Sequence, residues 1–125
     1  HDLFNRRGND IYCEIPITYA QAVLGAEITV PTIDGKVAYT IAEGTQTGTT
    51  FRLRGKGVKY INREAHGDQY VTVNVEVPKK LTKKQKDLLK DFDASLDEKN
   101  HQKRTSFFKK LKEKLDSWRN LFPRK

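Results

Sequence analysis

Sulfur and long apolar runs are scarce in this chain. Among 125 residues there is one cysteine, Cys13, and no methionine. A lone cysteine excludes a disulfide within the chain and any zinc site built on cysteines. It lies in Ile11-Tyr12-Cys13-Glu14-Ile15-Pro16-Ile17, where alternation places Ile11, Cys13, Ile15 and Ile17 on one face, so it reads as a small core residue. No stretch of about eighteen apolar residues occurs, so nothing is expected to span a membrane. No signal-peptide pattern opens the chain, and a cytoplasmic location is expected. The chain starts at His1 and reads as a fragment of a longer protein.

Catalytic patterns are missing too. Arg54-Gly55-Lys56-Gly57-Val58 lacks the order and the strand-to-helix context of a phosphate loop, so its glycines read as turn formers. His1, His66 and His101 fall at a terminus, in a loop and in a linker, without the spacing of metal ligands. Asp34 and Asp68 stand beside glycines and read as turn residues. No nucleophile sits beside a base. The expectation is a protein that is not an enzyme and takes no cofactor or metal.

What the chain has in quantity is basic charge, unevenly placed. Residues 1–78 hold eight Lys/Arg against nine Asp/Glu, and residues 79–125 hold sixteen against seven. The net +8 therefore belongs to the C-terminal part. A solvated lysine-rich helix face is the plain reading, and a basic nucleic-acid-binding module is the alternative.

Periodicity divides the chain into a β body and a helical tail. Strands are expected at 9–17, 27–32, 36–41, 50–54 and 69–77, with a helical turn from Thr18 to Leu24 stopped by Gly25. Asp34-Gly35 is a two-residue hairpin signal, and residues 55–68 form an irregular loop. The fold class is mainly β: a small sandwich or open barrel with a short helix, followed by two C-terminal α-helices. Residues 1–78 make the β domain. Thr82 and Gln85 form a capping box that opens a helix within 79–97, expected to pack on that domain through Leu88, Leu89, Phe92 and Leu96. Residues 98–104 make a linker, and a last helix fills 105–125 and stops before Pro123. In it Phe108, Leu111, Leu115, Trp118 and Phe122 recur at three- and four-residue spacing, flanked by lysines. Such a seam needs a partner surface, and a twin chain is the leading one. A basic helix with Trp and Phe on its other face could also lie on a membrane, but the reading favours a protein partner. In the β body, Ile28, Val30, Val37 and Tyr39 are candidate positions for capturing extended peptide along a strand edge.

Six ordered motifs carry a resemblance. They are His1-Asp2-Leu3-Phe4-Asn5-Arg6-Arg7-Gly8-Asn9-Asp10-Ile11-Tyr12, Ala22-Val23-Leu24-Gly25-Ala26, Thr32-Ile33-Asp34-Gly35, Gly44-Thr45-Gln46-Thr47-Gly48, Phe51-Arg52-Leu53-Arg54-Gly55-Lys56-Gly57 and Gly67-Asp68-Gln69. Leu81-Thr82, Gln85-Lys86 and Leu88-Leu89 continue them. Together they resemble the second C-terminal β-domain and following segment of the DnaJ family of J-domain co-chaperones, over essentially all of residues 1–122. The resemblance implies a homodimer joined by its C-terminal segment and auxiliary binding of unfolded polypeptide clients. It also implies partnership with a DnaK-type chaperone through the full-length protein, with no specific nucleic acid and no membrane partner. The His-Pro-Asp tripeptide of the J-domain and the Cys-x-x-Cys-x-Gly-x-Gly repeat of the zinc region are both missing.

Overall fold

A computed structural model describes residues 3–121 of the chain. The chain divides into two units, His1–Lys79 and Lys80–Lys125. In the first, β1 (Asn5–Arg7), β2 (Asp10–Thr18), β5 (Thr49–Leu53) and β6 (Gln69–Glu76) form a sheet of order β1-β2-β6-β5. β3 (Ala26–Thr32) and β4 (Gly35–Ile41) form a separate two-stranded sheet, and α1 (Tyr19–Leu24) joins β2 to β3. The expected open, mainly β architecture is present.

Alternation decides which faces meet. Ile11, Cys13 and Ile17 of β2, Val71 and Val73 of β6, Leu53 of β5 and Ile28, Val30 and Ile41 of the hairpin are buried. All but Ile11 belong to one cluster, together with Ala22 of α1. Val77, the last residue of the expected strand, lies beyond the end of β6 and is exposed. α1 starts where Thr18 and Gln21 exchange side-chain and backbone hydrogen bonds as a capping box.

Three features were not legible in the sequence. β1 is polar and fully exposed; it is a strand only because its backbone pairs with β2, Arg6 opposite Ile11. β2 and β6 run parallel, Ile11 opposite Gln69 through to Thr18 opposite Glu76, and periodicity does not name a strand's partner. The hairpin turn is Ile33-Asp34, one residue earlier than expected, with Thr32 opposite Gly35. The Thr32 hydroxyl sets this register: it accepts from the Asp34 N–H at 3.3 Å and donates to the Gly35 carbonyl at 2.8 Å. Gly35 takes φ 135°, open only to glycine, as the first residue of β4 rather than the second of the turn.

The loop 55–68 is held against the start of β2. Val58 N–H donates to the Asn9 carbonyl and the Asn9 amide donates back to the carbonyls of Val58 and Lys59. Gly57 and Gly67 lie so close to the Asn9 carbonyl that a Cβ on either would collide with it.

The second unit holds α2 (Lys83–Ser95), a 3-10 turn at Glu98–Asn100, and α3 (Gln102–Leu121). Thr82 and Gln85 form the expected capping box. α3 begins three residues earlier than its apolar period suggests, because the Thr105 N–H already donates to the His101 carbonyl at 3.0 Å.

Candidate interaction surfaces

The four candidate capture residues lie on one hairpin but not at one depth. Val30 is 0% exposed and Ile28 is buried beside it in the core. A client cannot reach either while the domain is folded. Val37 and Tyr39 sit opposite them on β4 and are half-buried. Tyr39 stacks on Phe51 of β5, with ring centroids 3.8 Å apart and planes within 3°. Phe51 and Tyr39 are both half-buried and pack against the buried cluster. No strand pairs with the outer edge of β4 among the described residues.

Beneath the hairpin, one buried polar side chain links the two sheets. Gln69 is 0% exposed; its Nε2 donates to the Pro31 carbonyl at 2.9 Å and to Cys13 Sγ at 3.4 Å. Burial pushes the Cys13 thiol pKa up, and the Gln69 hydrogen bond offsets part of that rise. The thiol is inert core material, as its position in the strand suggested.

The outer face of the four-stranded sheet carries the aromatics that a nucleic-acid module would need as stacking platforms. Tyr12 and Tyr70 face each other across β2 and β6 with centroids 5.0 Å apart. Arg7 lies over the Tyr12 ring at 5.0 Å. Each ring thus covers one face of the other, and Phe51 of β5 stacks on Tyr39. Tyr12 and Tyr70 form a cross-strand pair on this face.

No residue of α2 or α3 is buried. On α3, Phe108, Leu111, Leu115 and Trp118 are exposed, Trp118 to 66%. Phe122, the last member of the expected seam, lies outside the described residues. Phe107 and Leu121 are exposed as well, so the apolar face is wider than a two-position seam. At about 100° per residue, Phe107 falls beside Trp118, a signal that was available in the sequence. Phe107 meets Phe108 edge-on at 5.3 Å, and Arg104 lies over Phe108 at 4.7 Å. On α2, Leu88, Leu89 and Phe92 are also exposed.

Residues 1–78 match the family model for the DnaJ C terminal domain, and residues 84–117 match that for the chaperone protein DnaJ C-terminal region. The chain belongs to the DnaJ C-terminal domain family. It is 57% identical over 113 residues to the chaperone protein DnaJ of Ruminiclostridium cellulolyticum, covering 90% of this chain and 30% of that protein. It is 55% identical over 113 residues to the DnaJ of Clostridioides difficile, covering 90% and 29%. Against the DnaJ of Fusobacterium nucleatum subsp. nucleatum it is 46% identical over 112 residues, covering 90% and 29%. The chain thus spans about three tenths of the length of these relatives.

Proposed function

We propose that this segment gives a DnaJ-type co-chaperone its two-fold dimer contact and an auxiliary surface for unfolded polypeptide. In the full-length protein that surface serves a DnaK-type chaperone. The observation that carries the dimer reading is the charge pattern of α2. Lys83, Lys84 and Lys86 stand at its start and Asp91 and Asp93 towards its end, with Asp87 and Lys90 between them and no acid in the first turn and no base in the last. Each set opposes the helix macrodipole, an unfavourable arrangement for a helix on its own. An antiparallel twin reverses this. It lays the lysines of one helix beside the aspartates of the other while Leu88, Leu89 and Phe92 meet across the two-fold axis.

α3, the helix expected from its seam to be the anchor, lacks this complementarity. With Phe108 and Leu115 at the first seam position, the flanking positions hold Lys112, Lys114 and Arg119. A parallel twin sets Lys114 against Arg119, and an antiparallel one sets Lys112 against Arg119, both of like charge. The proposed anchor is accordingly α2. Client capture takes place along the free edge of β4, where an extended segment would add as a strand and meet Val37, Tyr39 and Phe51. Ile28 and Val30 lie beside Tyr39 and Val37 on the same face of the hairpin, buried in the core.

Sedimentation of the chain over a range of concentrations tests the dimer. Leu88→Asp with Phe92→Asp should give monomers with an unchanged β-type circular dichroism spectrum, while deletion from His101 onward should leave dimers. Monomers from that deletion would return the anchor to α3. Dimers surviving both changes would place the interface on the β body.

A further inference from the structure

α3 presents an apolar face with no self-complementary margins, and its charges specify what covers it. We propose that α3 lies on anionic lipid bilayers, its apolar face among the acyl chains and its margins among the headgroups.

The helix of 20 residues is about 30 Å long. Phe107, Phe108, Leu111, Leu115 and Trp118 fall within about 100° of its circumference, with Leu121 just beyond Phe107. All six are exposed. Lys112 and Arg119 line the margin beyond Phe108, and Lys103, Lys110 and Lys114 line the margin beyond Phe107. Of the two acids, Glu113 falls outside both margins, and Asp116 pairs with the margin residue Arg119 at 3.9 Å, leaving the margins in net positive charge. Arg104, over the Phe108 ring, has a stem long enough to keep its charge at the surface while its methylenes stay with the apolar face.

Charge complementarity selects the occupant. A second α3 would bring Lys114 or Lys112 beside Arg119, in either orientation a pair of cations. An acidic protein groove would need two negative rims at matched spacing along the whole helix. A bilayer supplies acyl chains beneath the face and anionic headgroups along both margins at once. The aromatic content, two Phe and a Trp, suits the headgroup boundary. No helix among the described residues is long and apolar enough to cross a membrane, so α3 lies in the surface. This departs from the absence of a membrane partner expected from the sequence, and it is independent of the dimer reading, which rests on α2.

Trp118 is the only tryptophan, so its fluorescence reports on α3 alone. The full chain is titrated with vesicles of phosphatidylcholine alone and of phosphatidylcholine with an equal part of phosphatidylglycerol. On the mixed vesicles the emission should shift blue, brominated acyl chains should quench it, and the protein should co-sediment; on phosphatidylcholine alone none of this should occur. Lys112→Glu with Arg119→Glu should weaken binding at least tenfold, roughly, given the attraction each cation contributes at an anionic surface. Leu115→Asp should abolish binding, with the dimer mass and the β spectrum retained. Equal binding to both vesicles, or undiminished binding by either variant, overturns the proposal. So does a blue shift that follows protein concentration without lipid, or one that polyglutamate reproduces, since these would make a twin or an acidic polypeptide the occupant.

Discussion

Cys13 and Gln69 show how one buried contact ties chemistry to stability. Burial raises the folded thiol's pKa, so the unfolded chain ionises first. The stability of the fold is then complete below the unfolded thiol's pKa, about 8.5, and declines as pH rises past it. Urea midpoints should fall from neutral to alkaline pH more steeply in the parent than in Cys13→Ala, and parallel slopes would remove the thiol from the account. The sequence placed Cys13 in the core correctly, because alternation along β2 is a local property. It was silent on Gln69, whose partners Cys13 and Pro31 are brought to it only by tertiary packing. The same limit separates the capture candidates. Alternation identified Ile28, Val30, Val37 and Tyr39 as a set, but only the packed sheets show which strand faces outward. Tyr39→Ala should weaken binding of an extended apolar peptide about tenfold, the effect of truncating a central aromatic anchor. Val30→Ala should cost about 2 kcal/mol of stability and leave the affinity of the folded protein unchanged. Peptide titration with denaturation on the same samples separates the two, and the reverse pattern would move the capture surface off β4.

Among the elements, those with a strong period or a capping box were legible: β2, β6, α1 and α2 begin within a residue or so of where the sequence places them. β1 was not, because a three-residue exposed strand exists only through its neighbour. The start of α3 was missed because its first turn is polar. Its apolar face was read too narrowly because spacing of three and four picks out a seam and passes over a residue such as Phe107 at its edge. For α2 the antiparallel pairing makes a specific prediction. Lys84→Asp should weaken dimerisation by placing acid beside acid, and so should Asp93→Lys by placing base beside base. The double variant should recover most of the loss, since each pair is restored with its signs exchanged. The single effects should be about 0.5 kcal/mol per charge pair at low salt and shrink as salt rises. Additive losses in the double variant, measured by sedimentation, would exclude this pairing.

At the scale of the whole molecule, the division after Lys79 coincides with the charge division. The neutral unit contains the buried cluster and the basic unit contains no buried residue in either long helix. The β unit therefore owes its stability to its own core. A chain ending at Lys79 should keep its β spectrum, unfold cooperatively near the parent's midpoint and sediment as a monomer. A truncated chain without cooperative unfolding would show that the helices are part of the fold rather than an appendage.

The parallel pairing of β2 with β6 also dictates an order in time. β1 pairs only with Asp10–Tyr12, and the full length from Ile11 to Thr18 is paired by Gln69–Glu76, so the central ladder of the larger sheet cannot close until residue 76 has been made. On a ribosome, the β3–β4 hairpin, whose partners are close in the chain, can form early, but the core around Val71 and Val73 must wait. Closing so long a loop is the slow step for such a topology. The helical unit is synthesised next, so the surface proposed to join two chains emerges as the β body becomes able to fold.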